Sequence, residues 1–312
     1  MQPHGIHHLT AISARIQDNH RFYTDTLGLR LVKRSVNQDD VSAYHLFYAD
    51  GAGSPGTDLT FFDFDVPPAR PGVYVISRTA LRIHGDASFA YWQERLAEHG
   101  VKAEAPTEVG GRRTLRFEDP EGQRLALVED DGAGDAPTPW DDSPVPAEHQ
   151  IRGLGPIRAA VPSAAPTEAL LTHVFGIPFD REFEDDGHTV RAYRMGDGGA
   201  HAELQLEIRP DLPRARPGAG GVHHVALRVA DGDYDAWAER LLRAGIPNSG
   251  PVDRFWFKSL YIRDGNNLLF ELATDGPGFA VDEDPASLGE TLVLPPFLEA
   301  RREQIEANLK PL

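Results

Sequence analysis

The chain has 312 residues, of which 40% are apolar and 25% charged, an ordinary globular composition with room for two domains. It contains no cysteine, which excludes disulfides and thiolate metal sites, and its net charge of −17 disfavours nucleic acid as a partner. No apolar run is long enough to cross a membrane and the first residues lack the apolar core of a signal peptide, so we expect a cytoplasmic protein with no membrane partner.

The first predicted unit, residues 5–66, consists of a strand, a helix and then several strands. Its first strand is Ile6-His7-His8-Leu9-Thr10. Phe22-Tyr23 and Leu27-Gly28-Leu29 then precede a strand at Arg30-Leu31-Val32-Lys33. Apolar residues that alternate along a short segment are typical of half-buried strands.

The second unit, residues 72–130, and the fourth, residues 219–275, are copies of each other. Trp92-Gln93-Glu94-Arg95-Leu96 followed by Gly100 matches Trp237-Ala238-Glu239-Arg240-Leu241 followed by Gly245, at an offset of 145 residues. The apolar residues recur at helical spacing, and each glycine stands where a left-handed cap ends a helix. Asp119 and Asp264 then each open a turn between two apolar strands.

A third unit, residues 152–210, carries Val174-Phe175-Gly176-Ile177 before Phe179, as the first unit does before its second strand. Residues 131–150, rich in Gly, Pro and Asp, are predicted to link two halves. We therefore predict an α+β protein of four βαβββ modules, with an N-terminal domain at 1–130, a C-terminal domain at 151–275 and a tail at 276–312. The tail should contain a short helix around Leu298–Ala307.

Two of the predicted strands begin with paired histidines, at His7-His8 and at His223-His224. Neighbouring side chains of a strand point to opposite faces. His224 should therefore face a polar cleft, whereas His223 shares the apolar face and should pack on the helix. The first strand splits in the same way, with His8 on the side of Thr10.

The last strand of the fourth unit carries one carboxylate, Glu271, on the face opposite to Leu268, Phe270 and Leu272. An unpaired charge in so apolar a strand is costly, and a cation shared with two histidines would compensate it. We predict that His8, His224 and Glu271 hold one divalent metal. Two imidazoles and a carboxylate leave coordination positions open on Fe(II), although the same set fits Mn(II), Zn(II) or Ni(II).

The repeat provides an internal control for these ligands. At the equivalent positions of the second module, His224 becomes Arg78 and Glu271 becomes Ala126. The third module starts without a histidine. A purely structural role would have been repeated with the scaffold, so we expect the metal ligands to come from the first and fourth modules. The isolated histidines carry no such pattern, and only His45, in the middle of a strand, could line the cleft or equally pack in the core.

The chain resembles the vicinal-oxygen-chelate superfamily, which includes glyoxalases, bleomycin-resistance proteins and extradiol dioxygenases, and most of all the dioxygenases that cleave hydroquinone rings. The resemblance extends over nearly the full length, through Gly5-Ile6-His7-His8-Leu9-Thr10, Tyr44-His45-Leu46-Phe47-Tyr48, Gly221-Val222-His223-His224 and Arg254-Phe255-Trp256-Phe257. It implies two vicinal-oxygen-chelate domains, each made of paired modules, and Fe(II) on His8, His224 and Glu271.

The resemblance also implies catalytic roles for Tyr261, Arg254 and His223, and a substrate-binding role for Thr10. Tyr261 lies just before a turn, so its strand can lie beside that of Glu271 and present the phenol to the cleft. Arg254 could stabilise a bound anion, or equally form a surface ion pair. Trp256 could provide an apolar wall for an aromatic substrate, or belong to the core. The role of His223 rests on the resemblance alone.

The implied function is that of a non-haem Fe(II) extradiol-type ring-cleaving dioxygenase, with a small aromatic diol of the hydroquinone type and dioxygen as partners. Members of this fold often pair, so a homo-oligomer is a further expectation. One alternative is a glyoxalase-like lyase or isomerase, although such enzymes usually present four protein ligands. Another is a protein that binds aromatic compounds without turnover, against which the retained metal triad argues.

Overall fold

Four strand–helix–three-strand modules follow one another along the chain, as the α+β prediction requires. The structure, a computed structural model, describes residues 1–312. The first module contains β1 (Gly5–Ser13), α1 (Ile16–Arg21, continued by a π-helical turn at Phe22–Thr26), β2 (Arg30–Val36), β3 (Tyr44–Ala49) and β4 (Asp58–Asp63). The second contains β5 (Val75–Ile83), α2 (Asp86–Glu98), β6 (Thr107–Val109), β7 (Arg112–Glu118) and β8 (Arg124–Glu129).

The second half of the chain repeats this order. The third module contains β9 (Leu154–Val161), α3 (Ala165–Ala169, continued by a π-helical turn at Leu170–Val174), β10 (Phe179–Asp185), β11 (His188–Arg194) and β12 (Glu203–Ile208). The fourth contains β13 (Val222–Val229), α4 (Tyr234–Arg243), β14 (Val252–Asp253), β15 (Lys258–Arg263) and β16 (Leu269–Thr274). None of the helices has the length and apolar character needed to span a membrane.

The two long helices form where the repeat predicts them. Trp92 in α2 and Trp237 in α4 are fully buried and face the sheets. Gly100 (φ +71°) and Gly245 (φ +66°) adopt the left-handed conformation just after the two helices end. The repeated tryptophan and glycine are therefore the packing centre and the C-terminal cap of one helical unit used twice.

The modules combine into two sheets of eight strands, and each sheet takes one module from each half of the chain. The first and fourth modules form one sheet, in the order β14-β15-β16-β13-β1-β4-β3-β2. The second and third form the other, in the order β10-β11-β12-β9-β5-β8-β7-β6. Residues 1–130 and 151–275 therefore do not each form a sheet of their own. Within a module one edge of the first strand stays free, and β13 rather than β5 covers that edge of β1.

The linker and the tail both pack against the first module. Thr138 accepts a hydrogen bond from the Gly51 amide (2.8 Å), and Val145 is buried. The predicted tail helix is present as a 3-10 turn at Glu299–Arg301 followed by α5 (Arg302–Glu306). An apolar cluster fixes this helix to β2; its members are Val36, Leu294, Leu298 and Ile305.

Candidate metal centre

One transverse row of the first sheet carries most of the candidate site. His8 on β1 lies opposite Ala226 on β13, Ala226 lies opposite Glu271 on β16, and Glu271 lies opposite Tyr261 on β15. Residues directly opposite one another in a sheet project to the same face. The row therefore places His8, Glu271 and Tyr261 on one concave surface, although they come from distant parts of the chain.

The three predicted ligands converge on one point. His8 Nε2 lies 3.2 Å and His224 Nε2 lies 2.9 Å from the same oxygen, Oε2 of Glu271. All three side chains are buried, and that oxygen makes no geometrically satisfactory hydrogen bond, whereas Oε1 accepts one from Ser259 Oγ. A buried carboxylate oxygen with two imidazole nitrogens around it fits a divalent cation. The structure thus brings the three residues together, while the metal itself stays a prediction.

The charges of this trio also suit a cation. Burial by itself would raise the pKa of Glu271, but the two imidazoles hold it well below its usual range. Burial lowers the pKa of His224. At neutral pH the carboxylate is therefore ionised and His224 is neutral, which are the protonation states that bind metals.

A second histidine supports each ligand histidine. Nδ1 of His7 lies 2.9 Å from Nδ1 of His8, and Nδ1 of His223 lies 2.8 Å from Nδ1 of His224. Each ligand ring is thereby oriented through Nδ1, which leaves Nε2 pointing at Glu271. Burial and the adjacent His8 lower the pKa of His7 to about 3, so His7 is neutral at physiological pH.

The strand register around His7 departs from the expected alternation. The pairing of β1 with β13 shifts between Ile6 and His8, which is a β-bulge at His7. As a result the rings of His7 and His8 both lie near Phe257, at centroid distances of 5.5 Å and 5.2 Å. The simple two-residue alternation predicted opposite faces for these two rings and is wrong here.

Three of the predicted residues line the cleft above the trio, namely Tyr261, Arg254 and Trp256. Arg254 Nε lies 3.4 Å from the Tyr261 hydroxyl, and its other end pairs with Asp39 at 2.8 Å. Arg254 is thus both a cleft residue and half of an ion pair. Burial, with the nearby charge of Glu271, raises the pKa of Tyr261, so its phenol keeps its proton at neutral pH.

Two predicted residues lie elsewhere than expected. Thr10 is fully buried beneath the ligands and does not line the cleft; its Oγ1 lies 3.2 Å from His224 Nε2 and 2.8 Å from Thr60 Oγ1. His223 is exposed at the start of β13, with Phe62 beside it, instead of packing on a helix. The remainder of that strand face is in the core as expected, because Val225 and Leu227 lie further along, under α4.

The tail packs against Trp256 and Phe47, two of the aromatic residues that line the cleft. Lys33 is fully buried, and its ammonium binds the carbonyl of Phe279 (2.9 Å) and the carboxylates of Asp282 (2.8 Å) and Glu283. Trp256 donates its indole N–H to the same Asp282 at 3.0 Å. Lys33 therefore anchors the tail that holds Trp256 in place, a relationship between distant segments that no local pattern indicates.

Sequence reasoning also missed polar neighbours of the ligands, chiefly Ser259 and Thr60. Ser259 could have been found, because it lies two residues before Tyr261 and so shares its face of β15. Oγ1 of Thr60 and Nε2 of His45 share a hydrogen bond of 3.0 Å, and His45 lines the cleft.

A second histidine–carboxylate cluster, formed by His84, Glu129 and Asp130, does not resemble the first. His84 is 55% exposed, and Asp130 already pairs with Arg82 and Arg152. The carboxylate of Asp130 is therefore neutralised by arginines. The trio of the first sheet is the only buried one of the two.

Comparison with known proteins agrees with this architecture. Residues 5–127 and 153–272 each match the model of the Glyoxalase/Bleomycin resistance protein/Dioxygenase superfamily. The chain belongs to this superfamily. It is 46% identical to MhqA of Bacillus subtilis strain 168, a candidate ring-cleaving dioxygenase, over 100% of both chains.

Two further relatives extend the comparison. The chlorohydroquinone/hydroquinone 1,2-dioxygenase of Sphingobium indicum is 31% identical over 96% of this chain and 94% of its own length. A crystal structure of a candidate dioxygenase from Bacillus subtilis superposes with a TM-score of 0.91 at 35% identity, covering 100% of this chain and 98% of the other. The superfamily member described here thus matches ring-cleaving dioxygenases along its entire length.

Proposed function

We propose that this superfamily member is an Fe(II)-dependent, extradiol-type dioxygenase that opens the ring of a hydroquinone-type diol. The observation that carries the proposal is the convergence of His8, His224 and Glu271 at the floor of a cleft lined by aromatic side chains. The activity in the name of the Sphingobium relative supports the same substrate class. When bound, Fe(II) held by two imidazoles and one carboxylate supplies open coordination positions and the redox chemistry that dioxygen requires.

The protein's own groups have distinct tasks in this reaction. Arg254 stays charged, because its interactions with Asp39 and Tyr261 outweigh the effect of burial on its pKa, and it can stabilise a phenolate. The Tyr261 phenol, which keeps its proton, can donate it to an oxygen of the opened ring. Trp256 and Phe257 form apolar walls that orient an aromatic ring and exclude water.

The cleft has to widen to admit a ring. Its free volume is about 30 Å³, which holds one or two water molecules. The segment Asn37–Asp39 forms one wall and is tied to Arg254 twice, through the Gln38 amide donating to the Arg254 carbonyl (2.8 Å) and through the Asp39 ion pair. We infer that substrate enters when these two bonds open and the segment Asn37–Asp39 moves away from Arg254.

The ligand count argues against a glyoxalase-like lyase. The cluster at the cleft floor contains three residues, with no fourth histidine or carboxylate at ligand distance. Three ligands leave room for both a diol and dioxygen, whereas isomerisation needs no site for dioxygen.

The test is oxygen uptake by protein loaded anaerobically with Fe(II), with hydroquinone, methylhydroquinone and catechol as substrates. We expect iron-dependent uptake that is greatest with a para-diol, and incorporation of label from ¹⁸O₂ into the ring-opened product. Glu271→Ala and His224→Ala should abolish uptake. Glu129→Gln, which removes a carboxylate from the other histidine-containing cluster, should not. Absence of uptake with every diol in iron-loaded protein would overturn the proposal.

A further inference from the structure

The second sheet replaces the metal ligands with arginines. Arg78 on β5 lies opposite Arg158 on β9, just as His224 on β13 lies opposite Thr10 on β1. Ala126 on β8 takes the place of Glu271, since it lies opposite Ala80 as Glu271 lies opposite Ala226. The equivalent positions therefore carry candidate metal ligands in the first sheet and positively charged arginine side chains in the second.

Among the arginines at this position of the second sheet, Arg78 is the one without a carboxylate partner. Arg158 and Arg116 both bind Asp185, and Arg116 also binds Asp186 at 2.7 Å. Arg78 donates no side-chain hydrogen bond. Burial, together with the neighbouring charges of Arg116, Arg158 and Arg124, lowers its pKa to about 10. In a chain with 48 acidic and 31 basic residues, a half-buried guanidinium surrounded by like charges indicates a missing anion.

Arg78 lines a cavity of about 420 Å³ at the junction of the two sheets, where β1 ends and β5 and β13 begin. Arg70 and Arg216 lie at its rim, on two segments joined by a pair of backbone hydrogen bonds (2.9 and 3.0 Å), and neither has an ion-pair partner. Gln123 also lines the cavity. Its amide nitrogen and oxygen have no hydrogen-bond partner, but both atoms are buried beneath the cavity wall.

The acidic residues on the cavity wall do not serve as partners for these groups. Glu121 accepts hydrogen bonds from Ser13 Oγ and from the Ala14 amide. Glu207 pairs with Arg209 at 3.1 Å, and Glu118 lies 3.7 Å from Arg124. These carboxylates are therefore occupied, and Arg78 has no carboxylate partner on the cavity wall.

We propose that this cavity binds a small organic oxyanion, a carboxylate or a phosphate, held by Arg78 with Arg70 and Arg216 at the entrance. A guanidinium offers a planar pair of donors that matches either group. The volume lies in the range of sites for small metabolites. The site shares no lining residue with the cleft of the metal centre.

Calorimetric titration of the Mn(II)-loaded protein with succinate and with inorganic phosphate, at low ionic strength, tests this proposal. We expect saturable binding of at least one probe, and the stronger of the two identifies the source of the oxyanion. Arg78→Gln should weaken binding about 10-fold or more. Arg214→Gln is the matched control. Arg214 lies in the same loop as Arg216, but it stacks on Tyr74 at 5.2 Å and does not line the cavity.

Stability and metal binding separate this proposal from the proposed function. Since Arg78 is surrounded by like charges, Arg78→Gln should unfold at a temperature no lower than the parent in anion-free buffer, and should bind Mn(II) equally well. Absence of saturable binding of both probes, or binding that Arg78→Gln leaves unchanged, would overturn the oxyanion site. Neither result would affect the oxygen-uptake test.

Discussion

Nε2 of His8 lies 3.2 Å from Oε2 of Glu271, although the two residues belong to the first and the last module of the chain. Their strands are separated only by β13, which provides the third ligand, His224. The candidate metal centre therefore exists only when both halves of the chain have formed one sheet. A metal bound at this centre would be thermodynamically coupled to the closing of that sheet.

The first prediction concerns metal removal. A metal that binds only the folded state should raise the free energy of unfolding by about 2.7 kcal/mol at a free concentration 100 times its Kd. We expect EDTA to abolish this increment in the parent protein and to have no effect on Glu271→Gln, as measured by urea unfolding. Glu129→Gln should still respond to EDTA. Equal stabilisation of Glu271→Gln by metal would place the ion elsewhere.

The second prediction concerns the proton donor of the cleft. Tyr261→Phe removes the phenol next to Arg254 and should lower kcat for ring opening about 10²-fold, with the Kd for Fe(II) unchanged. Tyr193→Phe is a matched control, because Tyr193 lies in the other sheet and its buried hydroxyl has no partner. A Tyr261→Phe enzyme with parental kcat would exclude the phenol from proton transfer.

The third prediction concerns the anchor of the tail. Lys33→Met leaves Asp282 and Glu283 without their buried cation and should lower the free energy of unfolding by about 3 kcal/mol. Limited proteolysis should also cut residues 276–312 faster. Arg301→Met, a change on the exposed side of the tail, should alter neither measurement by more than about 0.5 kcal/mol. An intact, equally stable Lys33→Met protein would show that the tail is held by its apolar contacts alone.

The fourth prediction concerns pH. Burial raises the pKa of Asp119 to about 6, even though its Oδ1 accepts two backbone hydrogen bonds and its Oδ2 accepts one from Tyr23. A raised carboxyl pKa means that the folded state binds the proton more tightly. The resulting stabilisation is present below pH 3.8 and is lost as the pH rises to about 6.

The size of this effect is about 3 kcal/mol at 1.36 kcal/mol per unit of pKa. Asp119→Asn should remove it, so the difference in unfolding free energy between parent and variant should shift in favour of the variant between pH 4 and pH 6.5. Asp141→Asn, an exposed change, should show no such dependence. A difference that is constant with pH would mean that Asp119 is ionised throughout.

Much of this architecture follows from repetition in the sequence. The tryptophans and glycines of α2 and α4 recur at a constant offset. Helical periodicity and a C-terminal cap are local features of the sequence, so they predict these two helices without knowledge of tertiary contacts. The loss of the histidine and the carboxylate at Arg78 and Ala126 also singled out the first and fourth modules as the source of the metal ligands. The structure places those ligands together.

Other features depend on contacts between distant segments. The tertiary structure decides which strand pairs with the free edge of β1. As a result, each sheet joins one module from the first half of the chain to one from the second half. The bulge at His7 breaks the two-residue period on which alternation arguments rest. Lys33 and Asp39 form ion pairs with residues that are distant in sequence, Asp282 and Arg254 respectively.

The most direct test of the metal centre is anomalous diffraction at the iron edge from crystals of the protein loaded anaerobically with Fe(II). The account predicts one strong anomalous peak within bonding distance of Nε2 of His8, Nε2 of His224 and Oε2 of Glu271. A peak at His84, Glu129 and Asp130, or no peak in protein shown to contain iron, would contradict it.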